Sequence, residues 1–227
     1  MKKATFGFIF VMMPFFLCSF EGWASKPFEG VISYKISYPN NKFTESQLAM
    51  FPKLMTVTVK GNKALTEINT AMGNKKEIID YAEKTKIGLI DIMGQKFAVK
   101  QTTEEIDEEN TLSSKPSIEL TSETKMIFGY NCKKAIVTVE DKGVKSTLEV
   151  FYSEELGSKT QNFDNPWYKE INGGLMEFTM KTPQFNMKFS VSNIEKKSIP
   201  SKLFEIPHDY KVITQEELKS KLGGMGK

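Results

Sequence analysis

The chain contains no arginine: all 31 of its basic residues are lysines, set against 28 acids. Proteins that read phosphates or base edges draw on the planar guanidinium fork, so its absence counts against nucleic-acid recognition. The lysines are also interleaved with acids, as in Lys75-Lys76-Glu77 and Glu195-Lys196-Lys197, which marks a solvated surface rather than a basic stripe. Cysteine is nearly as scarce. Cys18 lies in an N-terminal segment expected to be removed, which leaves Cys132 without a partner for an internal disulfide. The one histidine, His208, stands in Pro207-His208-Asp209, far along the chain from Cys132. A thiol with no base and no orienting group reads as a packed core side chain rather than a nucleophile. No zinc-ligand spacing, phosphate loop, nucleophile elbow or internal repeat appears, so no catalytic residue, metal or cofactor is expected, and the chain does not read as an enzyme.

A long apolar run occurs only at the start. Lys2 and Lys3 precede an apolar stretch from Phe6 to Phe20, and Gly22-Trp23-Ala24 puts small residues at the −3 and −1 positions of a cut before Ser25. This order of basic start, apolar stretch and small-residue exit is that of a secretory signal peptide, and the run is short for a permanent membrane span. Residues 1–24 are therefore expected to be a cleaved signal, and 25–227 a single domain working in the periplasm. A lipoprotein signal wants a small residue before its cysteine, whereas Phe15-Phe16-Leu17 precede Cys18. A soluble exported form is expected.

The body of the chain reads as strands. Phe28, Ile32, Tyr34, Ile36 and Tyr38 alternate with Glu29, Ser33, Lys35 and Ser37, giving one apolar and one wet face. Met55, Val57 and Val59 do the same, followed by a Gly61-Asn62 turn. Further strands are expected from Ala64 to Ala71 and over 77–81, 87–92, 96–101, 117–123, 134–140 and 147–152, joined by short glycine-bearing turns. The sharpest alternation comes late. Met176, Phe178 and Met180 alternate with Glu177, Thr179 and Lys181, and Phe185, Met187, Phe189 and Val191 alternate with Asn186, Lys188 and Ser190.

Two helices announce themselves by capping boxes. Thr44-Glu45-Ser46-Gln47 opens a short one reaching about Phe51 and stopped by Pro52. Thr214-Gln215-Glu216-Glu217 opens a second, ending at Gly223-Gly224. Residues 103–116, with Glu104, Glu105, Asp107, Glu108 and Glu109, read as an acidic solvated loop that lacks the pattern of a calcium loop. Residues 153–174 read as a second long connection.

The segment Lys125-Met126-Ile127-Phe128-Gly129-Tyr130-Asn131-Cys132-Lys133-Lys134 resembles an element of many small exported proteins of Gram-negative envelopes. Ile78-Ile79-Asp80-Tyr81 and Leu203-Phe204-Glu205-Ile206-Pro207 flank it in the same order. The set is similar to uncharacterised envelope families related to GLPGLI, whose signature is degenerate here at Asn172-Gly173-Gly174-Leu175-Met176-Glu177. The resemblance implies a fold like that of the LolA/LolB lipoprotein carriers. The expectation is a mainly β, α+β chain: a curved antiparallel half-barrel with a lid helix and a C-terminal helix. None of the residues of this chain matches carrier functional residues.

In such a fold, Met176, Phe178, Met180, Phe185, Met187 and Phe189 would line the concave side, and Leu48, Met50 and Phe51 would sit on the lid helix. Thioethers are flexible and polarizable, so this lining suits acyl chains. Two readings stay open: a periplasmic binding protein for a lipid or an acylated protein, and an envelope protein-interaction or sensor module whose concave side is filled. No reading involves a nucleic acid.

Overall fold

Alternation of period two dominates the fold, and the sheet it builds is open. The computed structural model describes residues 27–70, 73–92, 94–109, 114–141, 143–157, 160–182 and 184–224. The expected signal, residues 1–24, lies outside them. Six strands form a first meander: β1 (Glu29–Ser37), β2 (Leu54–Lys60), β3 (Lys63–Thr70), β4 (Gly73–Asp80), β5 (Thr85–Ile92) and β6 (Gln95–Gln101). Five more form a second: β7 (Ser117–Ile127), β8 (Tyr130–Asp141), β9 (Val144–Ser153), β10 (Gly174–Lys181) and β11 (Asn186–Lys196). A short β12 (Lys211–Ile213) completes a single twelve-stranded sheet in the order β12-β6-β5-β4-β3-β2-β1-β11-β10-β9-β8-β7. The two meanders are stitched together by antiparallel pairing of β1 with β11, Ile36 standing opposite Phe189.

Among the described residues three α-helices accompany the sheet: α1 (Glu45–Leu48), α2 (Thr103–Glu109) and α3 (Gln215–Gly224). The expectation of an α+β half-barrel closed by a lid helix is overturned. The sheet is open, with β12 and β7 as its edges, and the helices are few and short. The Thr44 capping box does form: Thr44 Oγ1 accepts from the Gln47 amide at 3.3 Å, and Gln47 Oε1 accepts from the Thr44 amide at 2.9 Å. It opens a helix of four residues with no buried side chain, because Pro52 follows too soon for a second turn.

The acidic segment corrects a second expectation. Thr102 and Glu105 form a reciprocal cap, with the Thr102 amide donating to Glu105 Oε2 at 2.7 Å and the Glu105 amide to Thr102 Oγ1 at 3.4 Å. Ile106 is the one apolar residue among the acids and is buried against Val59, Ala64, Ile79 and Tyr81. Capping plus one buried anchor makes Thr103–Glu109 a helix rather than a loop. A third difference is β12, which runs parallel to β6. Its three residues are too short to show a period. The helix α3 starts at the Thr214 box, where the Glu217 amide donates to Thr214 Oγ1 and the Thr214 amide to Glu217 Oε2.

The two faces of the sheet are covered differently. On one, Leu65, Ile78, Leu89 and Ala98 pack under Ile199 and Phe204, the latter from a single 3-10 turn at Ser201–Phe204. On the other, Ile32, Tyr34, Phe178 and Phe189 pack under the connection that precedes β10. That connection is tied down through its own side chains. Asn162 Nδ2 donates to the carbonyls of Ile171 and Gly173, and Tyr168 Oη donates to the Thr179 carbonyl at 2.6 Å while accepting from its amide at 3.2 Å. Tyr168 is fully buried, worth about 2–3 kcal/mol for an aromatic of this size. Gly173 lets the chain close onto Ser153, whose carbonyl a Cβ at this positive φ would strike.

Candidate functional site

The face that carries Ile36, Phe178 and Phe189 is concave, and only part of it is filled. Beneath Tyr168, the rings of Phe178 and Phe189 stack with centroids 4.7 Å apart, and Tyr34 and Tyr168 meet Phe178 edge-on. Beside this packed part runs a cleft of about 580 Å³. Its apolar lining comes from Ile36, Met55, Ile68 and Ile79 on the first meander and from Phe178, Met180, Met187 and Phe189 on the second. Asp164, Asn165, Pro166 and Trp167 of the connection form a further wall.

The residues expected to line the concave side divide into four groups. Phe178, Met180, Met187 and Phe189 line the cleft, with Met180 at 37% exposure and Phe189 buried. Met176 is fully buried in the core and does not reach the cleft. An irregularity in β10 between Leu175 and Glu177 buries the start of that strand on both sides. Phe51 and Phe185 lie in a four-ring cluster with Tyr38 and Phe43, the centroids 4.9 to 5.7 Å apart. Pro52, next to Phe51, joins the lining. Leu48 is half-buried and Met50 is 64% exposed, neither over the cleft. Leu48 is carried by α1, and among the described residues no helix lines the cleft.

One wall of the cleft is charged, and sequence reasoning missed it. Lys75 and Glu77 pair at 3.1 Å on β4, in phase with Ile79 and therefore on the same face. Lys86 of β5, which stands opposite Ile79, lies 3.7 Å from Asp164, and these side chains are only 15% and 20% exposed. Burial raises the Asp164 carboxyl above its ordinary value, Lys86 pulls it down, and Glu77 pushes it further up. Burial likewise raises the hydroxyl of Tyr81, helped by the negative charge of Asp164. The signal for this wall was present as charged residues on the apolar phase of β4. Asp164 could not be located, because nothing local says where a long connection folds back.

Cys132 is fully buried, its thiol 3.4 Å from the Tyr130 carbonyl and pushed up by burial, as a packed core residue should be. Among the described residues no cluster of histidine, cysteine or acids could hold a metal ion, and no helix is long and apolar enough to cross a membrane.

Residues 32–164 match the model of a family described as the N-terminal domain of N-glycanase peptide. That span is more than half of the chain. The chain belongs to this N-glycanase N-terminal-domain family. The match runs from β1 to Asp164, so it contains the charged wall and ends before β10 and β11 supply the opposite one. The match gives no support to the kinship with GLPGLI suggested by residues 125–134. No curated protein matches the chain. Among solved structures it is similar to LprF from Mycobacterium bovis, at 14% identity, over 81% of this chain and 90% of that one, with a TM-score of 0.32. A likeness at that level carries no inference about function.

Proposed function

We propose that this member of the N-glycanase N-terminal-domain family is a non-catalytic binding module. In this reading it holds the acyl chain of a lipid or lipidated partner in its cleft, and it works in the periplasm after loss of residues 1–24. The observation that carries the reading is the half-open concave face. Tyr168, Ile171 and Met176 fill one part, whereas Met55, Ile68, Met180 and Met187 border a space of about 580 Å³. That size lies in the range of sites for small apolar ligands. Three of these four side chains are methionines, which repack around chains of different shape.

The test is native mass spectrometry of the protein purified from an envelope fraction. Added mass that organic extraction removes and identifies as an acyl lipid supports the reading; protein without bound lipid that also fails to take up acyl probes contradicts it.

The family match favours a second reading. A domain described as the N-terminal part of an N-glycanase would act as an interaction module beside a partner, with Trp167 at the mouth of the cleft meeting a glycopeptide or an envelope protein. Lipid-free protein whose Trp167 responds to a glycopeptide would select it.

A further inference from the structure

Resting on the acyl-chain reading above, we infer that the cleft selects acyl chains bearing a neutral polar head, an ester or amide, over free fatty-acid anions, and that Lys86 and Asp164 set this choice. The lining is apolar on β1, β2 and β11 and, Lys181 apart, on β10, and it carries acid–lysine pairs on β4 and β5, so a bound amphiphile places its tail toward Phe178 and its head toward Lys86. At that end each lysine already has an acid. Lys86 faces Asp164 at 3.7 Å and Lys75 faces Glu77 at 3.1 Å.

A carboxylate entering here loses its water and meets two acids whose lysines are committed to them. A buried charge without a compensating partner is costly. An amide or ester alcohol has donors or acceptors to offer to both members of a pair and leaves the charge balance as it stands. Lys181 borders the cleft from β10, several strands along the sheet from β4 and β5. Acid relaxes the choice. Asp164 takes up its proton at a higher pH than an ordinary aspartate, Glu77 stays beside it, Tyr81 remains neutral, and Lys86 loses the negative charge that faces it.

The experiment compares monodecanoylglycerol with decanoate, matched in chain length, by calorimetry on the full chain at neutral pH. Wild-type protein binds the glyceride about tenfold more tightly or better. In Asp164→Asn, with its fold verified by circular dichroism, the ratio narrows by about tenfold because Lys86 gains affinity for the anion. Should that variant fail to fold, wild-type protein and decanesulfonate, whose head stays anionic, supply the same comparison: binding of the sulfonate relative to the glyceride strengthens as pH falls. Decanoate bound as tightly as the glyceride overturns the selectivity while the acyl reading stands. A ratio unchanged both by Asp164→Asn and by acid overturns the role given to the pair. Binding of neither ligand overturns the selectivity together with the acyl reading on which it rests.

Discussion

The two parts of the concave face use the same alphabet to different ends. Under the connection that precedes β10, Phe178 and Phe189 stack, Tyr168 seats edge-on against Phe178, and Met176 is fully enclosed. A few ångströms along the same strands, Met180 and Met187 line open space. The difference lies in what arrives from outside the sheet. Tyr168 is fixed by two hydrogen bonds to Thr179 and plugs the first part, whereas Trp167, its neighbour in sequence, stands at the border of the second. Alternation of apolar residues sets a face. A loop decides whether that face becomes core or cavity.

The comparison can be pressed by substitution. Phe178→Ala strikes the filled part and should cost about 4 kcal/mol in urea denaturation, since the rings around it cannot close the gap. Tyr168→Phe removes the hydroxyl but keeps the ring and leaves the Thr179 carbonyl and amide without their partner. A loss of about 1–2 kcal/mol in the same assay is expected. Cys132→Ser places a hydroxyl in an apolar site and should cost about 1 kcal/mol, with ligand binding retained. Loss of binding in folded Cys132→Ser would show a reactive residue.

The charged wall responds to pH in a defined direction. The native Asp164 carboxyl titrates above its unfolded value of about 4. The native state therefore holds that proton where the unfolded chain has lost it. The resulting stability is full below the unfolded value and is lost as pH rises through the native one. Stability curves taken upward from about pH 4 should show wild type declining relative to Asp164→Asn; parallel curves would mean that Asp164 titrates normally. The smallest effect on stability belongs to the open part. Met180→Asp should stay within about 0.5 kcal/mol of wild type, because its side chain is already partly in water, yet weaken acyl-probe binding by about tenfold. A large loss of stability there would erase the distinction between the two parts.

Most strands were legible in the sequence, because alternation such as Ile32, Tyr34, Ile36 or Phe185, Met187, Phe189 reports a half-buried sheet directly. The lid helix was not there to be read. The Thr44 box says where a helix starts, and Pro52 allows it only one turn. The helix α2 was legible in principle through Thr102 and Glu105, but its acids drew attention from Ile106, the residue that anchors it. In the candidate site, Phe178, Met180, Met187 and Phe189 border the cleft, while Met176 is enclosed in the filled part, where the pairing of its strand is irregular. The polar wall depends on Asp164 meeting Lys86 across 78 residues of sequence, and no local pattern encodes that.

The most direct test uses Trp167 as its own reporter. The chain has two tryptophans, Trp23 and Trp167, so the protein without residues 1–24 carries a single indole, at the border of the cleft. Titrating this protein with monoacylglycerol brominated along its chain should quench the indole emission saturably, and an unbrominated ligand of the same length should restore it. Emission that stays constant through the titration, with the fold intact, would contradict the claim that the open part of the concave face holds an acyl chain.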